Sequence, residues 1–223
     1  FHVSPTLANF GETDQIIMIS SYDKNDSTKT DEVVAFEANT GDELWTYDGL
    51  YSYASISPAM AIDDKRLFLT ECAYNDNYDP ISILLEITKE GDVFNVKELF
   101  FTEEAGSKMH PAVLFENHLY LNHTKNPNQM KCMTLDGEVV WEKGSAPGFD
   151  FGALILVDGL ILNQNGKNGD IHLIEPSPEG YKELGKASFF DSKISQAWAP
   201  LAFSNGKLII RDLEKMVCID LQN

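Results

Sequence analysis

Apolar residues in this chain come in short runs separated by turn-forming and charged residues. Five such runs follow Ser4-Pro5, Ser57-Pro58, His110-Pro111, Phe151-Gly152 and Ala199-Pro200, whose second residues stand 53, 53, 41 and 48 positions apart. Six positions beyond each anchor lies a turn former: Gly11, Asp64, Asn117, Asp158 and Gly206. These residue types tolerate the left-handed backbone that tight hairpins need. A second apolar run follows each turn: Ile16-Ile17-Met18-Ile19, Leu67-Phe68-Leu69, Leu119-Tyr120-Leu121, Leu160-Ile161-Leu162 and Leu208-Ile209-Ile210. A polar loop then leads to a third run: Val33-Val34-Ala35-Phe36, Ile83-Leu84-Leu85, Cys132-Met133, Ile171-His172-Leu173-Ile174 and Val217-Cys218-Ile219. Glu37, Glu86, Glu175 and Asp220 close four of these third runs, and Thr134 the other. Fourth strands are expected around Leu44-Trp45, Leu99-Phe100, Val140-Trp141 and Ser188-Phe189, while the fifth repeat reaches Asn223 before any fourth run.

Each repeat reads as four short strands joined by turns, recurring about every 45 residues, which is the spacing of propeller blades. Helical periodicity is absent apart from a weak stretch at Tyr181 to Leu184, where the repeat needs a hairpin. Continuous apolar runs fit strands packed on both faces. The predicted fold is therefore all-β, a β-propeller of four-stranded antiparallel blades, with four complete blades and an incomplete fifth. The rival is a β-sandwich, which needs no repeat. One domain is expected over residues 1–223, with blades near 1–50, 51–104, 105–146, 147–193 and 194–223. The anchors are expected on the innermost strands.

Charge narrows the partners. The chain has 17 Lys and Arg against 35 Asp and Glu, a net −18. Such a surface repels phosphate backbones and anionic membranes, so a nucleic-acid partner is excluded. The 43% hydrophobic content supports a core. No apolar run approaches the roughly 18 residues of a membrane-spanning helix; the longest candidate, Phe151 to Val157, ends at Asp158. Phe1 is not an initiator Met, so the chain is expected to be a processed product or an excerpt. Cys72, Cys132 and Cys218 are far apart and odd in number. They predict no disulfide framework and no zinc site, and Cys132 and Cys218 read as small buried apolar residues.

Ala35-Phe36-Glu37-Ala38-Asn39-Thr40-Gly41-Asp42-Glu43-Leu44-Trp45 resembles the tryptophan docking motif of the PQQ-like (quinoprotein alcohol dehydrogenase-like) propeller repeat family, with Glu37 where the pattern has Asp. Leu135-Asp136-Gly137-Glu138-Val139-Val140-Trp141 is a shortened copy, and Phe100 and Phe189 stand at the corresponding place in two other repeats. The physics is a turn that needs Gly41 or Gly137, followed by Trp45 or Trp141 filling the gap between blades. The resemblance is nearest to the non-enzymatic bacterial members of that family. It implies seven or eight blades in the complete propeller, of which this chain would be part, and an extracytoplasmic location, periplasmic or at the cell surface.

In that family the enzymes hold a quinone with calcium and a base Asp in the central funnel, and many carry adjacent cysteines. This chain has no adjacent cysteines, and Asp150 is the only acid directly before an anchor. Neither PQQ nor calcium is therefore expected. Residues just before the anchors are expected at the channel mouth: Tyr53, Ser57, Lys108, His110, Phe149, Asp150 and Trp198. A basic pair beside aromatic rings suits an anionic or sugar-like ligand; the plainer alternative is that His110 caps a strand and the rings pack between blades. The acidic stretches Asp23, Asn25, Asp26, Asp31 and Asp76, Asn77, Asp79 lack the glycine and terminal Glu of a calcium loop and read as solvated loops. The functional expectation is a non-catalytic scaffold that binds a partner protein or small ligand through its channel-mouth loops. The alternative is a PQQ-dependent oxidoreductase with part of its site outside the chain.

Overall fold

The computed structural model describes residues 3–20, 31–50, 56–71, 79–125, 128–141, 144–190 and 196–222. Among them every regular element is a strand. Contacts divide the chain into two compact units, Phe1–Pro111 and Ala112–Asn223.

The first unit holds two four-stranded meanders. One runs in order through β1 (Thr6–Phe10), β2 (Thr13–Ser20), β3 (Asp31–Glu37) and β4 (Glu43–Leu50). The other runs through β5 (Met60–Ala61), β6 (Arg66–Glu71), β7 (Ile81–Glu90) and β8 (Val93–Thr102). The second unit has three meanders. Its three-stranded first comprises β9 (Val113–Phe115), β10 (His118–His123) and β11 (Gln129–Thr134). Its second has four strands, β12 (Leu154–Val157), β13 (Leu160–Gln164), β14 (Ile171–Glu175) and β15 (Lys182–Ala187), and its third has β16 (Ala202–Ser204), β17 (Lys207–Arg211) and β18 (Met216–Asp220). The repeat read from the sequence is thus a repeat of antiparallel meanders, each strand paired with its neighbour in the chain.

Three expectations need correcting. The anchors stand just before β1, β5, β9, β12 and β16 and not on them. Each of those strands is an edge, where a proline, having no N–H to give, costs no ladder bond. The Val140-Trp141 strand does not form. Val139 makes an isolated bridge to Met133, and Trp141 then leaves the ladder. The last strand of the next sheet lies at β15, ahead of Ser188-Phe189, and it takes in most of the helix-like stretch at Tyr181 to Leu184.

The turns are more specific than the residue types suggested. Gly11 and Glu12 (φ 57° and 61°), Asp158 and Gly159 (49° and 78°), and Asn205 and Gly206 (51° and 71°) are left-handed pairs joining two strands. Two consecutive left-handed residues give the type I′ turn that matches strand twist. Between β9 and β10 the left-handed residue is Glu116 (φ 52°), not Asn117. Between β5 and β6 the turn is made by Asp63, whose Oδ1 accepts the N–H groups of Lys65 (3.0 Å) and Arg66 (2.8 Å). A carboxylate does there what left-handed backbone does elsewhere.

Within each unit, cores lie between successive sheets. In the first unit, Phe10, Ile17, Val33 and Ala35 pack against Leu67, Leu69, Ile83 and Leu85. In the second, Tyr120, Met130 and Cys132 meet Leu154, Ile161 and Ile174, and on the other face Leu162 and Ile171 meet Leu201, Leu208 and Ile210. The first and last sheets bury one face only. Leu7, Ile16 and Met18 share the uncovered face of the first, and Ile209 and Cys218 that of the last. Cys218 is accordingly exposed, not a buried residue like Cys132; both are free thiols, and Cys72 lies outside the described residues.

Candidate functional site

The second strands end in buried polar residues: Thr70 and Glu71 on β6, Asn122 and His123 on β10, Asn163 and Gln164 on β13. Onto these ends fold the segments that precede the anchors. In the first unit the Ser82 hydroxyl donates to the Ala105 carbonyl (3.0 Å), and Thr70 Oγ1 accepts the Ser107 N–H (2.9 Å). A Cβ at Gly106 would stand 2.2 Å from the Glu71 carbonyl oxygen, so glycine is what lets this backbone lie against the strand end. The result is a polar, water-poor region at the anchor end of the second sheet. Glu71, Ser57, Lys108 and His110 are all buried, and Ser57 Oγ makes no hydrogen bond among the described residues.

The second unit repeats the arrangement with different side chains. Asn122 Nδ2 donates to the Gly152 carbonyl (2.9 Å), and Asn122 and Asn163 exchange side-chain hydrogen bonds of 2.8 Å. Asp150 is left-handed (φ 53°), its N–H donates to Asn128 Oδ1, and its carboxylate accepts the Trp198 indole N–H at 3.2 Å. Trp198 also meets Phe151 edge to face at 4.9 Å. Gln164 is fully buried, and neither of its side-chain polar atoms has a hydrogen-bond partner among the described residues.

Of the residues singled out from sequence, Asp150 and Trp198 are in direct contact. Phe149 is a core residue, packed edge-on to His172 at 4.9 Å. Tyr53 lies outside the described residues, as do Asp23, Asn25, Asp26, Asp76 and Asn77. Among the described residues no three His, Cys, Asp or Glu side chains are grouped to hold a metal ion.

The docking residues behave unequally. Gly41 (φ 78°) and Gly137 (φ 87°) make the turns. Glu37 holds the first, accepting the Thr40 N–H (2.8 Å) and the Asn39 side-chain amide (3.0 Å), bonds that lower its pKa, those from Thr40 foremost. The Trp45 indole donates to Gln15 within its own sheet (2.7 Å), whereas the Trp141 indole donates to the Ser177 carbonyl beyond β14 of the next sheet (3.0 Å).

Sequence reasoning missed Glu71, Gln164 and His172. The first two carried one readable signal, a polar residue ending an apolar run. His172 carried none. Its Nδ1 meets Glu183 Oε2 at 2.6 Å, which, with Tyr181 donating to the same carboxylate, lowers the Glu183 pKa.

No protein-family model and no curated protein matches the chain. Solved structures do. The periplasmic gluconolactonase of Pseudomonas aeruginosa matches with a TM-score of 0.62 at 13% identity, over 95% of this chain and 66% of that one. A Bacteroides fragilis protein assigned as a 6-phosphogluconolactonase matches at 0.56 and 13% identity, over 93% and 67%. Chaetomium thermophilum Sqt1, solved with the N-terminus of ribosomal protein L10, matches at 0.53 and 9% identity, over 96% and 71%. The chain spans just under two thirds of the gluconolactonase's length.

This likeness establishes a propeller-like all-β fold and overturns the resemblance to the PQQ-like family, because the neighbours are gluconolactonase-type proteins. The non-catalytic scaffold and its quinone-dependent alternative fall with it, since the same neighbours are lactonases. The motif misled for a physical reason: Glu37, Gly41 and Trp45 stabilise a turn and a sheet, which any blade requires. Among the described residues no helix is long and apolar enough to cross a membrane.

Proposed function

We propose that this chain supplies five blades of a larger propeller that hydrolyses a sugar lactone. The observation that carries the reading is the match to the periplasmic gluconolactonase over 95% of the chain. The larger propeller is supported by the uncovered apolar faces of the first and last sheets, where further blades would pack. An extracytoplasmic location accords with the periplasmic residence of that neighbour.

Lactone hydrolysis needs a base for the attacking water and a donor for the oxyanion. Glu71, Lys108 and His110 supply these types, and all three are buried. In the proposed reaction the water oxygen bonds to the ring carbonyl carbon while His110 takes its proton. Lys108 donates to the oxyanion and Glu71 balances the imidazolium. The ring C–O bond then breaks, and the proton passes from His110 to the departing ring oxygen, leaving the open hydroxy acid. Neither quinone nor metal enters this proposal.

The test is proton release from glucono-δ-lactone, read against its spontaneous hydrolysis, for this chain and for a longer protein carrying it. Acceleration that falls by about 100-fold or more in His110→Gln is expected, the usual scale for a general base. No acceleration by either protein, or an undiminished rate in the variant, refutes the reading.

A further inference from the structure

Three backbone segments converge in the second unit. A Cβ at Gly152 would stand 1.7 Å from the Gln164 carbonyl oxygen, one at Gly166 would stand 3.0 Å from Trp198 Cδ1, and the Ala197 N–H donates to the Gly166 carbonyl (3.0 Å). Two non-glycine residues on the converging loops are left-handed, Asp150 (φ 53°) and Gln196 (φ 60°). Such backbone persists only where its surroundings enforce it, and ligand loops are where it collects. The Gln164 amide is fully buried, and neither of its polar atoms has a hydrogen-bond partner among the described residues. Gln164 shares its strand face with Leu162, which packs on Leu201 and Leu208, so the amide points toward the loop leading into the last sheet. A buried amide without partners marks the place of a missing donor and acceptor.

We propose that these loops form a binding site for a neutral polyhydroxylated ring, a sugar or sugar lactone, and that the site rejects the phosphorylated form. Each hydroxyl of such a ring both donates and accepts. The Gln164 amide offers one of each, the Asp150 carboxylate accepts, and the indole of Trp198 gives an apolar surface for ring C–H groups. The carboxylate and the net charge of −18 both repel a phosphate. The site lies in the second unit, apart from the residues proposed for hydrolysis, and its occupancy is measured without turnover, so this proposal and the lactonase reading fail separately.

The experiment is calorimetric titration of the chain with glucose and with glucose 6-phosphate, alongside Asp150→Gly, Asp150→Asn and Gln164→Leu. Glycine suits a φ of 53°, so Asp150→Gly keeps the loop while removing the carboxylate. The wild-type chain should bind glucose at least tenfold more tightly than the phosphate. Asp150→Gly and Gln164→Leu should each weaken glucose binding at least tenfold, and Gln164→Leu should do so without lowering Tm. Asp150→Asn should shrink the preference over the phosphate. Equal or tighter binding of the phosphate overturns the proposal, as does no binding of glucose. Gln164→Leu that raises Tm and leaves glucose binding unchanged also overturns it, by making the amide a purely internal defect.

Discussion

Trp45 and Trp141 are alike in the alphabet and different in what they hold. Trp45 closes a chain inside its own sheet: its indole donates to Gln15, and Gln15 in turn donates to the Phe10 carbonyl (3.2 Å). Trp141 sits between Tyr120 and Tyr181, edge to face at 5.7 and 6.2 Å, and reaches the following sheet. Removing the whole Trp45 side chain should cost about 3–5 kcal/mol, as for a buried aromatic elsewhere. Trp45→Phe isolates the polar part. It fills most of the volume but leaves Gln15 Oε1 buried without a donor, a loss of about 1–3 kcal/mol. Urea unfolding of the two variants checks this, and a Trp45→Phe midpoint equal to the parent's would dismiss the Gln15 bond. The sequence made both tryptophans legible as buried. It could not show which partner each would find, because Gln15 is thirty residues away from Trp45. The cysteines make the same point. Burial raises the Cys132 thiol to about 11, while Cys218 on the same kind of strand faces outward.

At the scale of elements, strands were readable and their ends were not. Apolar runs fixed where the strands lie, since each needs a sheet on one or both faces. The failures fall where a side chain competes with the ladder. Trp141 leaves it to dock, and Asp63 closes a turn in place of left-handed backbone at Asp64. Asp170 shows a third case, at the start of β14. Its carboxylate accepts from Lys186 Nζ (2.6 Å) on β15, from the Asn168 amide (2.9 Å) and from the Ser188 hydroxyl, fastening both ends of a hairpin. Burial alone would raise its pKa, but the bonds from Lys186 and Ser188 outweigh that and hold it below the ordinary 3.8. A depressed carboxylate contributes stability that is complete above its unfolded pKa and is lost as pH falls through the folded one. Asp170→Asn should therefore be less stable than the parent at pH 7, with the difference shrinking as pH falls below about 4, the unfolded carboxylate range. Thermal melts of both proteins across that range test it, and a difference independent of pH would assign Asp170 a purely geometric role.

On the scale of the molecule the repeat carried the fold, and the motif within it carried the wrong family. A repeat is a statement about packing, and packing is what propellers with unrelated chemistry share. The residues proposed for hydrolysis and binding, Glu71, Lys108, His110, Asp150 and Gln164, stand at strand ends or before the anchors; the repeat sets those positions but not which side chains fill them. Charge is the other property of the whole. A net −18 on 223 residues sets like charges against one another throughout the folded state. Attractive pairs offer little relief, because Arg66–Asp63 and Lys182–Glu175 are substantially exposed, and such pairs contribute about 0–1 kcal/mol each. Added salt screens both repulsion and attraction, with a screening length of about 30 Å at 0.01 M and 10 Å at 0.1 M. The repulsions are many and long-ranged, and among the described residues the pairs are few and short, so screening removes more of the first than of the second. Tm should therefore rise between 10 mM and 300 mM sodium chloride, a salt chosen because it is not strongly excluded from protein surfaces. Replacing exposed acids by their amides, for example Glu103→Gln with Glu104→Gln, should reproduce part of that rise at low salt and reduce the further gain from salt. A Tm that falls with sodium chloride would mean that local ion pairs, Lys186–Asp170 foremost, outweigh the net charge.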